Sequence, residues 1–339
     1  MNSFEYIEPR TLDEALAAGG AAGAVYLAGG TNLVDLMKAG VARPARLVHI
    51  GRLEGLDRIE TLPGGGLRIG ALVRNADLAA LAERYPLLVE ATLSGASAQL
   101  RNAATLGGNL MQRPRCGYFF DPASACNKRQ PGAGCDMIGG ESRGAAILGA
   151  SPSCVATHPS DLAVALLALD AVVEIAGPAG RREMPVDAFY RLPGDEPQRE
   201  TELAAGELIV AARLPASEFA GHCRYVKARD RVSFAFALAS AAAALRLDGG
   251  VIVEARLALG GVAPKPWRAR EAEAALQGAK PSDETFAKAA AIALAGAAPV
   301  GDNAFKIELA RRVAARALKL AAAGTRIPAL PASPFGAAR

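Results

Sequence analysis

The sequence predicts an α+β chain of two domains. Short apolar runs bounded by glycine alternate with helical stretches as far as Pro215. Beyond it come a strand, an Ala-rich stretch and a hairpin signal at Asp248-Gly249-Gly250, and then only helices. Strands and helices are thus mixed along the chain, and the resemblance given below implies the α+β class. The 339 residues admit two or three domains of ordinary size, and the boundary is expected near 216–222.

Taken in order, "TLDEALAAG" (Thr11–Gly19) reads as a short helix, with Thr11 as N-cap and Glu14 completing a capping box. "AVYLAGG" is a strand ending in glycines, and "TNLVDLMKAG" a helix stopping at Gly40. "RLVHI" and "LRIGAL" read as strands. "NADLAALAERYPLLVEATLSGAS" is helical with a break near Pro86. From Gly107 to Ser153 periodicity is lost and Gly, Pro, Cys, Asn and Arg are dense; a loop of that length inside a compact domain is expected to have a function. "SDLAVALLALDAVVEIAG" is a helix running into a strand, and "ELIVAARLP" a further strand ending at Pro215. The segment from Cys223 reads as strand, Ala-rich helix and hairpin. Two more helices follow, about Ser282–Ala297 and Asn303–Ala323.

Composition narrows the function. Apolar residues are 51% and charged residues 21%, which suffices for a core without a disulfide framework. A net charge of +4, with Arg and Glu interspersed, gives no reason to expect nucleic acid. The Ala-rich run Ala235–Leu245 is too short to span a bilayer, so no membrane insertion is expected. The opening "MNSFEYIEPR" carries two Glu and no apolar run, unlike a signal peptide. The expected compartment is therefore the cytoplasm, with export as a folded passenger of a signal-bearing partner as the alternative.

Two glycine clusters carry candidate chemistry. "LAGGTNL" comprises Leu27, Ala28, Gly29, Gly30, Thr31, Asn32 and Leu33 and runs from strand to helix. Glycine allows a ligand to approach the backbone, and helix N-terminal amides suit phosphate. The spacing is not the G-x-G-x-x-G fingerprint, and a tight turn capped by Thr31 or Asn32 explains the cluster equally well. "TLGGNL", with Thr105, Gly108 and Asn109, repeats the chemistry: a hydroxyl, two glycines, a side-chain amide. Two such loops suit the two phosphates of a dinucleotide. In "THPSDL", Asp161 opens a helix, either as a cap or as an acceptor for ribityl or ribose hydroxyls.

Together "LAGGTNL", "TLGGN" and "THPSD" resemble the FAD-binding subunit of the molybdenum hydroxylases, the xanthine and carbon monoxide dehydrogenase family. The resemblance covers essentially the whole chain, including "YVKARDRVSFAFALAS". It implies a two-part FAD-binding domain of the vanillyl-alcohol-oxidase type over residues 1–218, with lobes of about 1–55 and 56–218 and a Cys-rich insertion at about 110–156. A smaller α+β domain of the CO dehydrogenase flavoprotein type would cover 219–327, followed by a tail, 328–339. Leu27 to Leu33 would line the pyrophosphate and adenine end. Thr105, Gly108 and Asn109 would form the second phosphate and ribityl contact, and Asp161 would bind a flavin-side hydroxyl. Ile209 would pack by the ring, and Lys227 would stand near the isoalloxazine unless it is a plain surface lysine. The resemblance also implies partners: a large molybdopterin subunit that oxidises the substrate, commonly an aldehyde or N-heterocycle, and a small subunit with two [2Fe-2S] clusters that feeds this FAD. FAD would then deliver electrons to an external acceptor. No substrate-oxidising residue is expected in this chain, which shows neither a carboxylate pair nor a Ser-His-Asp signature. A stand-alone FAD oxidase is the alternative, and it would need a general base near the flavin.

Four of the five cysteines, Cys116, Cys126, Cys135 and Cys154, fall in one 39-residue stretch inside the irregular segment. The stretch resembles the insertion in the flavin subunit of the periplasmic aldehyde oxidoreductase branch, which implies an extra [4Fe-4S] cluster; the 4-hydroxybenzoyl-CoA reductase branch is the next nearest. The residues alone leave the matter open. Four thiolates satisfy an Fe–S cubane, but the intervals of 9, 8 and 18 residues are not ferredoxin spacing. A zinc site, two disulfides and four unrelated buried cysteines remain alternatives, and His158 is a conceivable substitute ligand. The flanking Arg113, Arg115, Lys128 and Arg129 read either as charge compensation for an anionic cluster or as a solvated face. Whether a cluster would relay electrons or brace the loop and a neighbouring subunit is open.

Overall fold

A computed structural model of the chain describes residues 1–325. The expected tail, 328–339, and the last residues of the expected second domain lie outside the described residues.

The chain begins with β1 (Glu5–Ile7), α1 (Leu12–Gly19), β2 (Ala24–Leu27), α2 (Leu33–Lys38) and β3 (Arg46–His49). The three strands form a parallel sheet in the order β1-β3-β2. The predicted capping box starts α1: the Thr11 hydroxyl accepts from the Glu14 amide at 3.2 Å, and the Glu14 carboxylate accepts from the Thr11 amide at 3.3 Å. Ala15, fully buried, packs the helix over Val48, Ile50 and Leu53.

Next come β4 (Ile59–Thr61), β5 (Leu67–Gly70), a 3-10 turn (Asp77–Leu81), α3 (Pro86–Ser94), α4 (Ala98–Arg101), α5 (Leu106–Leu110) and α6 (Gly117–Phe120). After a long irregular stretch follow α7 (Asp161–Ala168), β6 (Val172–Gly177), β7 (Gly180–Pro185), α8 (Val186–Phe189) and β8 (Leu208–Leu214). The break expected near Pro86 is real: Pro86 starts α3, where its missing N–H has no helical partner to lose. These strands make an antiparallel sheet in the order β4-β5-β8-β6-β7.

The last part holds β9 (Cys223–Ala228), β10 (Ala239–Asp248), β11 (Val251–Gly260), β12 (Trp267–Arg268), α9 (Arg270–Leu276), α10 (Asp283–Ala293), a 3-10 turn (Gly301–Asn303) and α11 (Phe305–Ala322). Its antiparallel sheet has the order β12-β11-β10-β9. Helices α3 and α7 lie between the two antiparallel sheets: Leu88 and Leu166 share one core with Val173 and Ile209 on one side and with Ala242 and Ala258 on the other. All eight residues of α7 are buried, as a helix enclosed by two sheets must be. Among the described residues no helix is long and apolar enough to cross a membrane.

The expected Ala-rich helix is not formed. Ala239–Asp248 is instead the central strand β10, paired with β9 and β11, and it turns into β11 at the predicted glycines, where Gly249 and Gly250 have φ of 54° and 80°. Alternate alanines point to opposite cores: Ala242 and Ala244 toward α3 and α7, Ala241 and Ala243 toward α10 and α11. Helices cover both faces of β10, and only very small side chains let them approach closely. Packing outweighs the helical preference of alanine.

The segment between α5 and α7 is irregular but well fastened. The Arg129 guanidinium donates to the carbonyls of Tyr118 and Phe119 at 2.8 and 2.9 Å, and to that of Ser124. Asn127 bonds the Gly134 amide and the Ser153 carbonyl. Its later limb is bound to the C-terminal part: Ile147 and Leu148 donate to the Val262 carbonyl, and Lys306 and Asn303 donate to the Ala145 carbonyl at 2.8 and 2.9 Å.

Candidate functional site

Two clefts meet at a shared wall. The first, about 370 Å³, lies where β2 passes into α2 and collects ten of the thirteen expected cofactor-binding residues: Leu27 through Leu33, Thr105, Gly108 and Ile209. Its shape depends on glycine. Gly30 has φ of 72°, and a Cβ on Gly29 would drive into the Ala103 carbonyl. Gly107 packs so closely on Ala71 that an added Cβ would lie 3.0 Å from the alanine methyl. Thr105 caps α5 by accepting from the Gly108 amide at 3.2 Å.

Of the expected residues, Asn109, Asp161 and Lys227 lie outside this lining, and Asn32, within it, is not the cap it could have been. Asn32 stands at the start of α2 but caps nothing; its Oδ1 accepts from Arg115 Nη2 at 3.1 Å. Asn109 accepts the Ser160 hydroxyl. Ser160, not Asp161, caps α7, accepting from the Ala163 amide at 3.0 Å. That leaves Asp161 to face the second cleft, of about 580 Å³.

In the second cleft Asp161 is 7% exposed and accepts from Lys227 Nζ and the Tyr225 hydroxyl, both at 2.7 Å. Tyr225 in turn meets Ser240 Oγ at 2.9 Å. With its side chain 3% exposed, Lys227 is no surface lysine. Sequence reasoning missed Tyr225 and Ser240. The strand β9 could have exposed Tyr225 as a partner, since residues two apart share a face, but Ser240 lay in the misread Ala-rich run. Ile209 lines the glycine cleft, whereas Asp161 lines the other.

His158 lines both clefts. It is buried, and burial with the nearby Lys128 ammonium pulls its pKa down to about 3, so the ring is neutral at any working pH. Its ring stands edge-on to Tyr190 at 4.6 Å, and Tyr190 OH donates to the Leu110 carbonyl.

The four cysteines all lie in the irregular segment between α5 and α7. Cys116 lines the second cleft, beside Met137. Cys126 and Cys135 face each other across an isolated antiparallel bridge, and Cys154 closes a turn with Ser151. Burial raises the thiol pKa of Cys116 and of Cys154, and each is also pushed up by Cys126 and Cys135 as like charges. No disulfide joins the five cysteines, which are all free. Among the described residues no three His, Cys, Asp or Glu stand close enough to grip one metal ion, so a four-cysteine zinc site is not preformed. The flanking cations divide. Arg113 and Lys128 both pair with Glu200, Arg115 pairs with Asp35, and Arg129 holds carbonyls; Lys128 also acts on Cys154, opposing the rise that burial gives its thiol.

Residues 2–217 match the family model described as the FAD binding domain in molybdopterin dehydrogenase, and residues 224–321 the CO dehydrogenase flavoprotein C-terminal domain. The chain belongs to the FAD-binding medium subunits of the molybdenum hydroxylases. It is 49% identical over 324 residues to the aldehyde oxidoreductase FAD-binding subunit PaoB of Escherichia coli, covering 94% of this chain and 98% of the relative. It is 29% identical to the carbon monoxide dehydrogenase medium chain of Hydrogenophaga pseudoflava, covering 94% and 96%. A solved carbon monoxide dehydrogenase from that organism superposes with a TM-score of 0.75 at 30% identity, covering 95% and 98%. The reconstituted CO dehydrogenase from Oligotropha carboxidovorans gives 0.76 at 26%, covering 96% and 99%. The glycine cleft of this medium subunit fits FAD on its own evidence: backbone of the two glycine loops, Gly29–Gly30 and Gly107–Gly108, lines one concave wall beside the Thr31 and Thr105 side chains.

Proposed function

We propose that this medium subunit is the electron-transfer flavin subunit of a molybdenum-dependent aldehyde oxidoreductase. One observation carries the redox reading: Cys116 and Asp161 line the same cleft, so the cysteine segment and the flavin end of the dinucleotide share a wall. The identity of 49% to an aldehyde oxidoreductase subunit supports the substrate class. Leu27–Leu33, Thr105 and Gly108 would hold the adenosine and diphosphate end, with Ile209 beside them. Asn109 would fix the wall through Ser160. Asp161, held by Lys227 and Tyr225, would accept from a ribityl or flavin-side donor. Bound FAD supplies the exchange between electron pairs and single electrons. The protein's share is to orient it and keep water from the glycine cleft.

Cys116, Cys126, Cys135 and Cys154 would ligate a [4Fe-4S] cluster. The resemblance of the cysteine stretch to a cluster-bearing insertion supports this, as does the influence of Cys126 and Cys135 on both Cys116 and Cys154. Lys128 would be its local positive charge. Electrons would come from a small subunit with two [2Fe-2S] clusters, themselves reduced by a large molybdopterin subunit, and leave to an external acceptor. A signal-bearing partner would carry the assembly to the periplasm; otherwise it stays cytoplasmic. Flavin and metal assays on the purified chain test the reading. About one FAD and four irons per chain are expected, and zinc without iron overturns the cluster. Aldehyde turnover by the isolated chain overturns the subunit role, which requires activity only with the molybdenum and [2Fe-2S] subunits.

A further inference from the structure

The glycine cleft is sparing with charge for a site that takes an anionic diphosphate. Among the described residues its lining carries three charged side chains, Arg113, Glu200 and Glu207. His158, also on the lining, is neutral. Glu207 is satisfied from outside the cleft: Arg182, which is not on the lining, grips it through two bonds of 2.7 Å. Glu200 differs, because two cations share it. Arg113 Nε donates to Glu200 Oε1 at 2.8 Å, and Lys128 Nζ stands 3.4 Å from the same oxygen. Lys128 is buried and absent from the lining, so it balances the carboxylate from the protein side. Arg113, Lys128 and Glu200 together carry one net positive charge, and Arg113 is the member that brings it to the cleft.

The guanidinium is also held in place. It lies 4.7 Å over the ring of Phe119, which is buried, while Nε and Nη2 are engaged with Glu200. Nη1 has no partner among the described residues. The side chain is 32% exposed, so a molecule in the cleft can reach it. A guanidinium that served only to fasten the stretch around Glu200 would not need a second cation on the same carboxylate. We propose that Arg113 donates a charge-assisted hydrogen bond to a phosphate oxygen of the dinucleotide bound in the glycine cleft. This rests on the flavin reading above, with the diphosphate at the glycine loops. Arg113 belongs to the irregular segment that carries the cysteines, so that segment takes part in holding the cofactor.

The test is FAD titration of the deflavinated full-length chain by flavin fluorescence, at low and at high salt. Arg113→Met should weaken binding roughly tenfold to a hundredfold at low salt, as loss of one hydrogen bond to a charged group does, and the deficit should shrink at high salt. Lys128 still balances Glu200 in that variant, so no lone carboxylate is stranded. Glu200→Gln acts in the other direction: with the carboxylate gone, two cations remain for one anionic ligand, and FAD should bind at least as tightly as to wild type. The opposite signs separate a phosphate contact from a fastening role, which would weaken both variants alike. Equal affinities of wild type and Arg113→Met overturn the inference, and so does equal weakening of the two variants. Should Arg113→Met fail to fold, weaker binding by Glu200→Gln overturns it. A wild-type chain that takes up no FAD overturns the flavin reading itself, and the role of Arg113 with it.

Discussion

Replacing Lys227 by methionine tests whether the second cleft is a built electrostatic site. Lys227 Nζ lies 2.7 Å from Asp161 Oδ2 and 3.1 Å from the Ser94 carbonyl, and the two paired side chains are 3% and 7% exposed. At an effective dielectric of 20 the gross attraction at this separation is about 6 kcal/mol, and most of it offsets desolvation. What the variant reveals is the other side of that balance. Methionine fills the lysine stem's space, but Asp161 is left as a buried charge with only the Tyr225 hydroxyl. Removing one partner of such a pair costs about 3–5 kcal/mol. At about 2–4 °C per kcal/mol for a domain of this size, the apo chain should melt roughly 6–20 °C lower. Calorimetry on the flavin-free chain isolates this from any loss of cofactor. The Asp161→Asn, Lys227→Met double variant should recover part of the loss, because neither charge is then stranded. A single variant that melts within about 2 °C of wild type would refute the reasoning, since a pair so deeply buried cannot be silent.

Three further outcomes are expected. Gly29→Ala should weaken FAD binding at least about tenfold by pushing the lining segment at Gly29 and the Ala103 carbonyl behind it apart, at a cost in stability of about 1–3 kcal/mol; unchanged titration would show that the 102–105 loop gives way freely. Ala242→Leu should cost about 1–3 kcal/mol in urea unfolding, because the position is fully buried between β10 and the α3–α7 layer, and a neutral result would mean that the layer can separate. Burial lowers the pKa of Lys306 from 10.5 to about 8. The folded value is below the unfolded one, so the unfolded chain holds more protons between about pH 8 and 10.5, and stability should rise with pH across that window by at most about 3 kcal/mol. Lys306→Met should remove this slope in urea melts, and equal slopes for the two proteins would refute it.

Local chemistry was legible in the sequence, and long-range partnership was not. Thr11 and Glu14 name a capping box because both partners lie within three residues, and Pro86 marks a helix start because its effect is on its own backbone. The glycine loops could be read for the same reason. They announce close approach, although not that Gly29 is pressed against Ala103, seventy-odd residues away. The run Ala239–Leu245 shows the limit. Alanine alone favours a helix, and only the presence of covering helices on both sides makes the strand, a fact that no window of sequence contains. Asp161 was found but given the wrong competitor: the cap is its neighbour Ser160. The clustering of four cysteines was obvious, while the partition of the flanking cations was not. Arg113 and Lys128 share one carboxylate, Glu200, which is more than seventy residues downstream of both.

The same distinction bears on how the site is assembled. The glycine cleft is made almost wholly by elements before Pro215. The Asp161 cleft is not: Lys227, Tyr225 and Ser240, which surround Asp161, come from the last sheet, and Phe236 and Gly261 on its lining lie just outside β10 and β11. That sheet is fastened to α3 by a second buried carboxylate. Glu90 accepts from the Tyr225 amide at 2.7 Å and pairs with Arg224 at 3.1 Å, while Lys227 and Arg229 donate to the Ser94 carbonyl at the end of α3. The cysteine segment is fastened to the same unit through Asn303 and Lys306. A weakened contact between the two sheets would therefore leave the glycine cleft intact. It would disturb together the Asp161 cleft and the cysteine segment, the two places through which the proposed electron path runs.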